Sequence, residues 1–170
     1  MLVNAFGLDH VILRDIDPAS AASARSLGGY ALSRGKVALV AEAGRSGLVL
    51  PADVDALTNG CLNVLAALKL VDLPTRPVAK PVKTVWVTAG TRVQVEKAGM
   101  FFASAARDSI VKEGDLLGFE TDYLGRRIAD IRSPVGGLIT FIRGVPSATV
   151  GATLATVNPI LTEPPPYKRP

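Results

Sequence analysis

Pro74, Pro77 and Pro81 divide this 170-residue chain into two parts with different hydrophobic rhythms. Before them, apolar residues recur every three or four positions, as along one face of a helix. After them, Val82, Val85, Val87, Val93 and Val95 follow a strand-like alternation, and no helical pattern returns. A chain that changes period in this way cannot be built from one kind of layer. It predicts an α/β part over 1–75, a proline-rich linker over 76–81 and an all-β domain over 82–160. The tail over 161–170, with its Pro164-Pro165-Pro166 run, reads as extended over the surface or disordered.

The β part reads twice. Gly99-Met-Phe-Phe leads to Ile110-Val-Lys-Glu-Gly114-Asp-Leu-Leu117-Gly118, and Gly137-Leu-Ile-Thr leads to Ser147-Ala-Thr-Val-Gly151-Ala-Thr-Leu154-Ala155. In each copy a glycine opens an apolar run, and a later glycine is followed three residues on by a leucine and then a small residue. The first glycine suits entry into a strand, and the second suits a turn between strands. Two such units, each apolar on one side, close a core only together. The expectation is a small β-barrel or sandwich with pseudo-twofold symmetry.

In the α/β part, residues 9–16 contain the short run Val11-Ile12-Leu13 and read as a strand. Asp17-Pro18 offers a helix N-cap, Ala21, Ala24, Leu27 and Ala31 follow at helical spacing, and Gly35 is a stop signal after Arg34. Lys36-Val-Ala-Leu-Val-Ala41 is a continuous apolar run, as in a strand covered on both faces. Strand, helix and strand in this order predict a βαβ unit, with 11–13 and 37–40 in a mostly parallel sheet. Pro51 opens the next helix, and Val54, Leu57, Cys61, Val64, Leu65 and Leu68 form its apolar stripe. Leu73-Pro74 marks its end. Cys61, inside that stripe, reads as a small buried core thiol.

Composition removes several classes of function. The hydrophobic content of 48% supports a packed core, and no apolar run approaches the length of a membrane span. The first residues lack the charged segment of a secretory signal, and a lone cysteine forms no internal disulfide, so a cytoplasmic setting without membrane association is expected. The net charge of +4 is carried by scattered basic residues rather than a stripe interleaved with aromatics, which argues against nucleic-acid binding.

Candidate chemistry is sparse. His10 is the single histidine, and metal sites built on histidine generally need further His, Cys or carboxylate ligands at fixed spacing. It reads as a structural or surface residue beside Asp9. No nucleophile elbow, phosphate-binding loop or dinucleotide fingerprint is present. The suggestive stretch is Val40-Ala41-Glu42-Ala43-Gly44-Arg45-Ser46-Gly47, where an apolar strand delivers a carboxylate into a glycine-containing loop. Ligands gather at such strand ends in open α/β sheets, and a carboxylate there can act as a general base. An ordinary strand-end acid paired with Arg45 fits the same residues.

Four stretches in order carry a family resemblance over about Ala5 to Val157: Ala5-Phe-Gly7; Val40-Ala-Glu42-Ala-Gly44; Cys61-Leu-Asn63-Val-Leu65-Ala-Ala-Leu68; and the β repeat with Ser133-Pro134-Val-Gly136-Gly137-Leu-Ile139. Together they resemble the C-terminal half of the succinylglutamate desuccinylase/aspartoacylase family, zinc-dependent deacylases with a carboxypeptidase-like core. The resemblance implies a carboxypeptidase-like sheet remnant followed by a barrel-sandwich domain. It implies hydrolysis of an N-acyl amide, of the N-acyl amino acid type, as the parent reaction. The family's E-x-G glutamate, general acid/base on zinc-bound water, falls on Glu42. Zinc would acidify that water and polarise the amide carbonyl, while the glutamate moves the proton to the leaving amine. Arg45 stands where the family often has a second glycine; it could pair with a substrate carboxylate or be a solvated loop residue.

The family's zinc ligands, an H-x-x-E motif and a later histidine, lie upstream of the matched stretch, and no metal ligand is assigned here. On this reading the chain is a fragment, a subunit completed by another polypeptide, or a degenerate homologue. Exposed sheet edges and apolar surface would favour a homo-oligomer or a complement to the missing N-terminal half. Two rivals remain. The β repeat also resembles biotinyl and lipoyl carrier domains, but the turn Thr121-Asp122-Tyr123-Leu124-Gly125 lacks the lysine they modify. The alternative is a non-catalytic interaction or assembly module of barrel-sandwich type.

Overall fold

The computed structural model describes residues 2–17, 19–20, 25–45, 47–74 and 84–163. The linker assigned to 76–81 and the tail residues 164–170 lie outside these. The chain divides into two compact units, one running to Val85 and the other spanning Trp86–Glu163.

Among the described residues the first unit holds three helices, α1 (Leu2–Phe6), α2 (Leu27–Ser33) and α3 (Pro51–Ala67), and the short strand β1 (His10–Ile12). The strand expected over 9–16 forms only at its start. Asp17 does not cap a long helix; its Oδ1 accepts the Ala19 N–H at 2.9 Å, closing a local turn. Helix α2 begins later, where Ser26 Oγ accepts the Gly29 N–H at 3.1 Å. It stops where expected. Gly35 adopts φ +67°, its N–H reaches the Leu32 carbonyl, and the Lys36 N–H reaches the Ala31 carbonyl, both at 2.9 Å. These two bonds make a Schellman cap, which satisfies the carbonyls left open at the helix end.

Helix α3 starts at Pro51 as its sequence predicts, since proline lacks the N–H that a first-turn residue leaves unused. Its end comes earlier than Leu73-Pro74. Lys69 takes φ +56° and the Leu70 N–H bonds the Leu65 carbonyl, so the helix closes on itself before the proline acts. The buried face is also not the expected stripe. Gly60 and Asn63 are the buried residues of α3, while Cys61 is exposed and Val54, Leu65 and Leu68 keep 37–49% of their surface in solvent. The cause is α1. The Phe6 ring, 5% exposed, lies so close to Gly60 that a Cβ there would fall 2.5 Å from Cδ1 and 2.6 Å from Cζ. Only glycine lets the ring sit against the helix backbone, and this contact selects the buried face. The reading of Cys61 as a core thiol is therefore corrected.

The predicted βαβ unit does not form among the described residues. Residues 36–44 run without joining a strand ladder, and Val37 and Val40 are 59% and 81% exposed. An apolar run becomes a two-sided strand only when neighbouring strands supply its ladder bonds. No described strand does so here, and β1 bonds elsewhere, with the Val85 N–H donating to the Asp9 carbonyl at 2.8 Å.

The second unit is antiparallel β throughout. Nine strands follow in order: β2 (Val85–Val87), whose last two residues lie here, β3 (Thr91–Gln94), β4 (Gly99–Ala103), β5 (Ile110–Val111), β6 (Leu116–Thr121), β7 (Arg127–Arg132), β8 (Gly137–Ile142), β9 (Ser147–Ala148) and β10 (Thr153–Asn158). Two four-stranded sheets result, β3-β10-β8-β5 and β7-β6-β4-β9. They do not close into a barrel; each keeps two edge strands, and the edges β5 and β9 are only two residues long. Short edges limit unwanted pairing. The sheets share their core. Val111, Ile139, Ala155 and Val157 of the first pack with Leu117 of the second. Val95, Phe101, Ala148 and Leu154 form an adjoining cluster. Gly99 and Gly137 occupy close approaches, where a Cβ would overlap the carbonyl oxygens of Thr121 and Asn158. Gly114 and Gly151 turn the chain at φ +86° and +80° ahead of β6 and β10.

A candidate active-site loop

The loop that carries Glu42 is built from two helix boundaries. The cap of α2 releases the chain at Gly35, and Pro51 takes it up again at α3. In between, exposure alternates: Ala41 and Ala43 are half-buried, while Val40 and Glu42 are exposed. Small alanines on the inner side let the backbone lie close and turn the Glu42 carboxylate outward. Gly44 at φ +98° then bends the chain, a conformation that residues with a Cβ rarely adopt. The Leu48 N–H donates to the Arg45 carbonyl at 2.9 Å, and Arg45 and Leu48 form an isolated antiparallel bridge that pins the turn, with Gly47 at φ +74° inside it.

Arg45 is exposed, and no ion pair joins it to Glu42 among the described residues. The residue that does lie against the loop is Asp53, in the first turn of α3. Its Oδ2 is buried without a hydrogen-bond partner, 3.7 Å from the position of a Cβ on Gly44. The Asp53 N–H is held by the Leu50 carbonyl at 3.0 Å. In the sequence Asp53 is legible only as an acid favoured at a helix start; its place against Gly44 follows from the fold of the loop.

The remaining candidates stand apart from this loop. His10 Nδ1 lies 3.0 Å from Asp9 Oδ1, a local pair at the start of β1. At the β6–β7 hairpin, Asp122 Oδ1 accepts the N–H groups of Leu124 and Arg126, both at 2.9 Å, and fixes a tip that displays Tyr123 and Leu124 but no lysine. Among the described residues no three His, Cys, Asp or Glu side chains converge on a point that could hold a metal ion. The donor set of the described residues thus does not fit a zinc site.

No helix of the described residues is long and apolar enough to cross a membrane. No family model matches the sequence, and no curated protein matches it. Solved structures do. The apo ectoine utilization protein EutE (DoeB) from Ruegeria pomeroyi superposes with a TM-score of 0.76 at 22% identity, over 93% of this chain and 49% of that one. A succinylglutamate desuccinylase/aspartoacylase from Rhodobacter sphaeroides gives 0.75 at 20% identity, over 92% and 47%. An aspartoacylase family protein from Mesorhizobium loti gives 0.70 at 19% identity, over 95% and 53%. The chain has the fold of the C-terminal half of succinylglutamate desuccinylase/aspartoacylase family proteins. It spans about half the length of these relatives, and at such identities the likeness is one of fold. The family resemblance carried by the four sequence stretches is thereby matched by structure, while the roles of individual residues are not addressed by it.

Proposed function

We propose that this chain is the C-terminal portion of a hydrolase that cleaves an N-acyl amide of the N-acyl amino acid type, with Glu42 as its proton-transferring carboxylate. The observation that carries the reading is the placement of Glu42: exposed, without an ion pair among the described residues, two residues before a glycine-bent loop that Asp53 underlies, in a chain with the fold of about half of the desuccinylase/aspartoacylase relatives. Glu42 accepts a proton from the attacking water and returns it to the departing amine. Arg45, exposed on the same loop and bridged to Leu48, is the residue we assign to a substrate carboxylate. The zinc implied by the family would have to be held by residues outside this chain's described set, so no step of this chain is routed through it.

On the same reading the exposed apolar surface of the first unit is covered in the working assembly. Leu27, Val40 and Val49 are 88%, 81% and 83% exposed, more than isolated surface residues of a finished domain need be. The covering polypeptide is one with the architecture of the relatives' other half; self-association is the rival. If self-association alone covers this surface, the non-catalytic assembly module becomes the better account. The repeat in the β unit belongs to this proposal too. It is supported by the parallel placement of Gly99 and Gly137 at close approaches, Gly114 and Gly151 at turns, and the fully buried Leu117 and Leu154 that follow.

The test is hydrolysis of N-succinylglutamate and N-acetylaspartate by the chain, alone and co-expressed with the unmatched half of the Ruegeria pomeroyi protein, with mass measured by light scattering. Turnover that falls by about 10²–10⁴ in Glu42→Gln, the usual worth of a general base, supports the assignment. Undiminished turnover in Glu42→Gln would overturn it.

A further inference from the structure

The β unit contains a carboxyl group where its architecture calls for an apolar one. Glu120 is 3% exposed. It stands directly across from Phe101 of β4 and Ala129 of β7, so it shares the inward face with Phe101, itself 1% exposed. Its Oε1 is buried without a hydrogen-bond partner. A buried polar atom left unpaired is uncommon in folded proteins and calls for a reason.

No cation is among the groups that act on Glu120. Strand β4 (Gly-Met-Phe-Phe-Ala), β9 (Ser-Ala) and β10 (Thr-Leu-Ala-Thr-Val-Asn) carry no charged residue, and Arg92 of β3, across from Thr156, is exposed. The guanidiniums of β7 are engaged on the opposite face. Arg127 lies 4.5 Å over the ring of Phe119, the neighbour of Glu120 that points outward, and pairs with Asp130. Arg132 bonds Asp130 and, at 3.0 Å, the Gly114 carbonyl. The charge that bears on Glu120 comes from the turn between β3 and β4, and it is a second acid, Glu96. Lys97, beside it, is exposed. Burial first, and the Glu96 carboxylate second, push the Glu120 carboxyl above the ordinary range of a glutamic acid. The turn's Val95 shares a buried cluster with Phe101, the residue across from Glu120, and its backbone is fastened: the Val95 N–H bonds the Ala152 carbonyl and the Gly151 N–H bonds the Val95 carbonyl, each at 2.9 Å.

We propose that Glu120 and the turn at 95–98 form a pH-operated latch within the β unit. With Glu120 protonated, the carboxyl is neutral and the turn stays fastened through Val95. When Glu120 gives its proton to solvent, an unpaired carboxylate inside the sandwich faces Glu96, and the chain relieves it by loosening the turn and the adjoining ends of β3 and β4. The sign follows from linkage. An acid whose folded value is raised contributes stability fully present below its unfolded value and lost as pH rises through the folded one. The latch therefore holds in acid and slackens as pH rises.

Hydrogen exchange of the full chain tests this, with rates corrected for the intrinsic pH dependence of exchange. In the unaltered protein, protection of the Val95 and Phe101 amides is expected to fall about tenfold for each pH unit spent between the unfolded and folded values of Glu120. In Glu120→Gln, which keeps the size of the side chain without the charge, protection at these amides should stay level between acid and mildly alkaline pH. Glu96→Gln alters an exposed turn residue, so the fold is kept whatever happens to Glu120→Gln. It should diminish the size of the loosening and end it at lower pH, because without the like charge of Glu96 the folded value of Glu120 is raised less. The same pH dependence in the unaltered protein and Glu120→Gln, or an unaltered profile in Glu96→Gln, would overturn the latch.

Discussion

Replacing Gly60 by alanine sets local preference against tertiary packing, and the two predict opposite signs. Helix propensity alone favours alanine by about 1 kcal/mol in a helix interior. The structure argues the other way. A Cβ at position 60 would lie 2.5 Å and 2.6 Å from Phe6 Cδ1 and Cζ, where ordinary contacts need a separation closer to 3.4–4 Å. Phe6 is 5% exposed and its ring, unlike the tip of a long side chain, cannot swing aside without moving α1. Overpacking of this kind costs about 1–3 kcal/mol. Set against the propensity gain, Gly60→Ala is expected to destabilise the first unit by up to about 2 kcal/mol. Gly28→Ala is the control. Its Cβ would meet Ala38 Cβ at 3.8 Å and Val40 Cγ2 at 4.0 Å, which is ordinary contact, so this change should stabilise by about 0.5–1 kcal/mol. Urea unfolding followed by helical circular dichroism reads the first unit, and fluorescence of Trp86, the single tryptophan, reads the second. Adding Phe6→Leu should recover part of the loss in Gly60→Ala, a coupling of about 1 kcal/mol in a double-mutant cycle. If Gly60→Ala stabilises as Gly28→Ala does, the packing account of α1 against α3 is wrong.

Three further outcomes are expected. Lys69→Gly should raise the stability of the first unit by about 1 kcal/mol, since Lys69 holds φ +56° at the cap of α3, and the same denaturation experiment measures it. Asn158→Ala should lower the urea midpoint read by Trp86, by about 2–3 kcal/mol. Asn158 is 2% exposed, donates to the Thr88 carbonyl at 2.7 Å and accepts from the Thr140 hydroxyl at 2.6 Å, and the variant leaves both partners unmatched. Asp130 is held below the ordinary aspartate range, first by its hydrogen bond from Arg127, with the charges of Arg127 and Arg132 adding to it. Its stabilising contribution is therefore present above the unfolded value and is lost as pH falls through the folded one. A carboxyl-carbon titration by NMR should show a lowered midpoint that moves upward in Arg127→Gln.

Much of the local structure was legible because it depends on neighbours in the chain. Gly35 ends α2 and Pro51 begins α3 through backbone constraints that those two residues carry themselves. Gly114 and Gly151 turn the chain ahead of β6 and β10, and the alternating half after the prolines forms antiparallel strands. The candidate site was legible as far as Glu42 and its glycine loop. It was not legible that Asp53 lies against Gly44, because eight residues of loop and helix separate the two in sequence and only their folding brings them together.

The opening division of the chain at Pro74, Pro77 and Pro81 set what kinds of element each part could contain, because period and backbone freedom are properties of the residues themselves. Which surfaces those elements bury was decided by tertiary contacts. The stripe of α3 had the right spacing for a core, yet the Phe6 ring reached Gly60 and turned a different face inward. Residues 37–40 had the composition of a covered strand, yet no described strand supplies their ladder. Nothing in the sequence marks Glu120, and only the register against Phe101 places its carboxyl inside. Hydrophobic patterning records that a side chain favours burial. The partner that buries it is chosen by contacts between residues far apart in sequence.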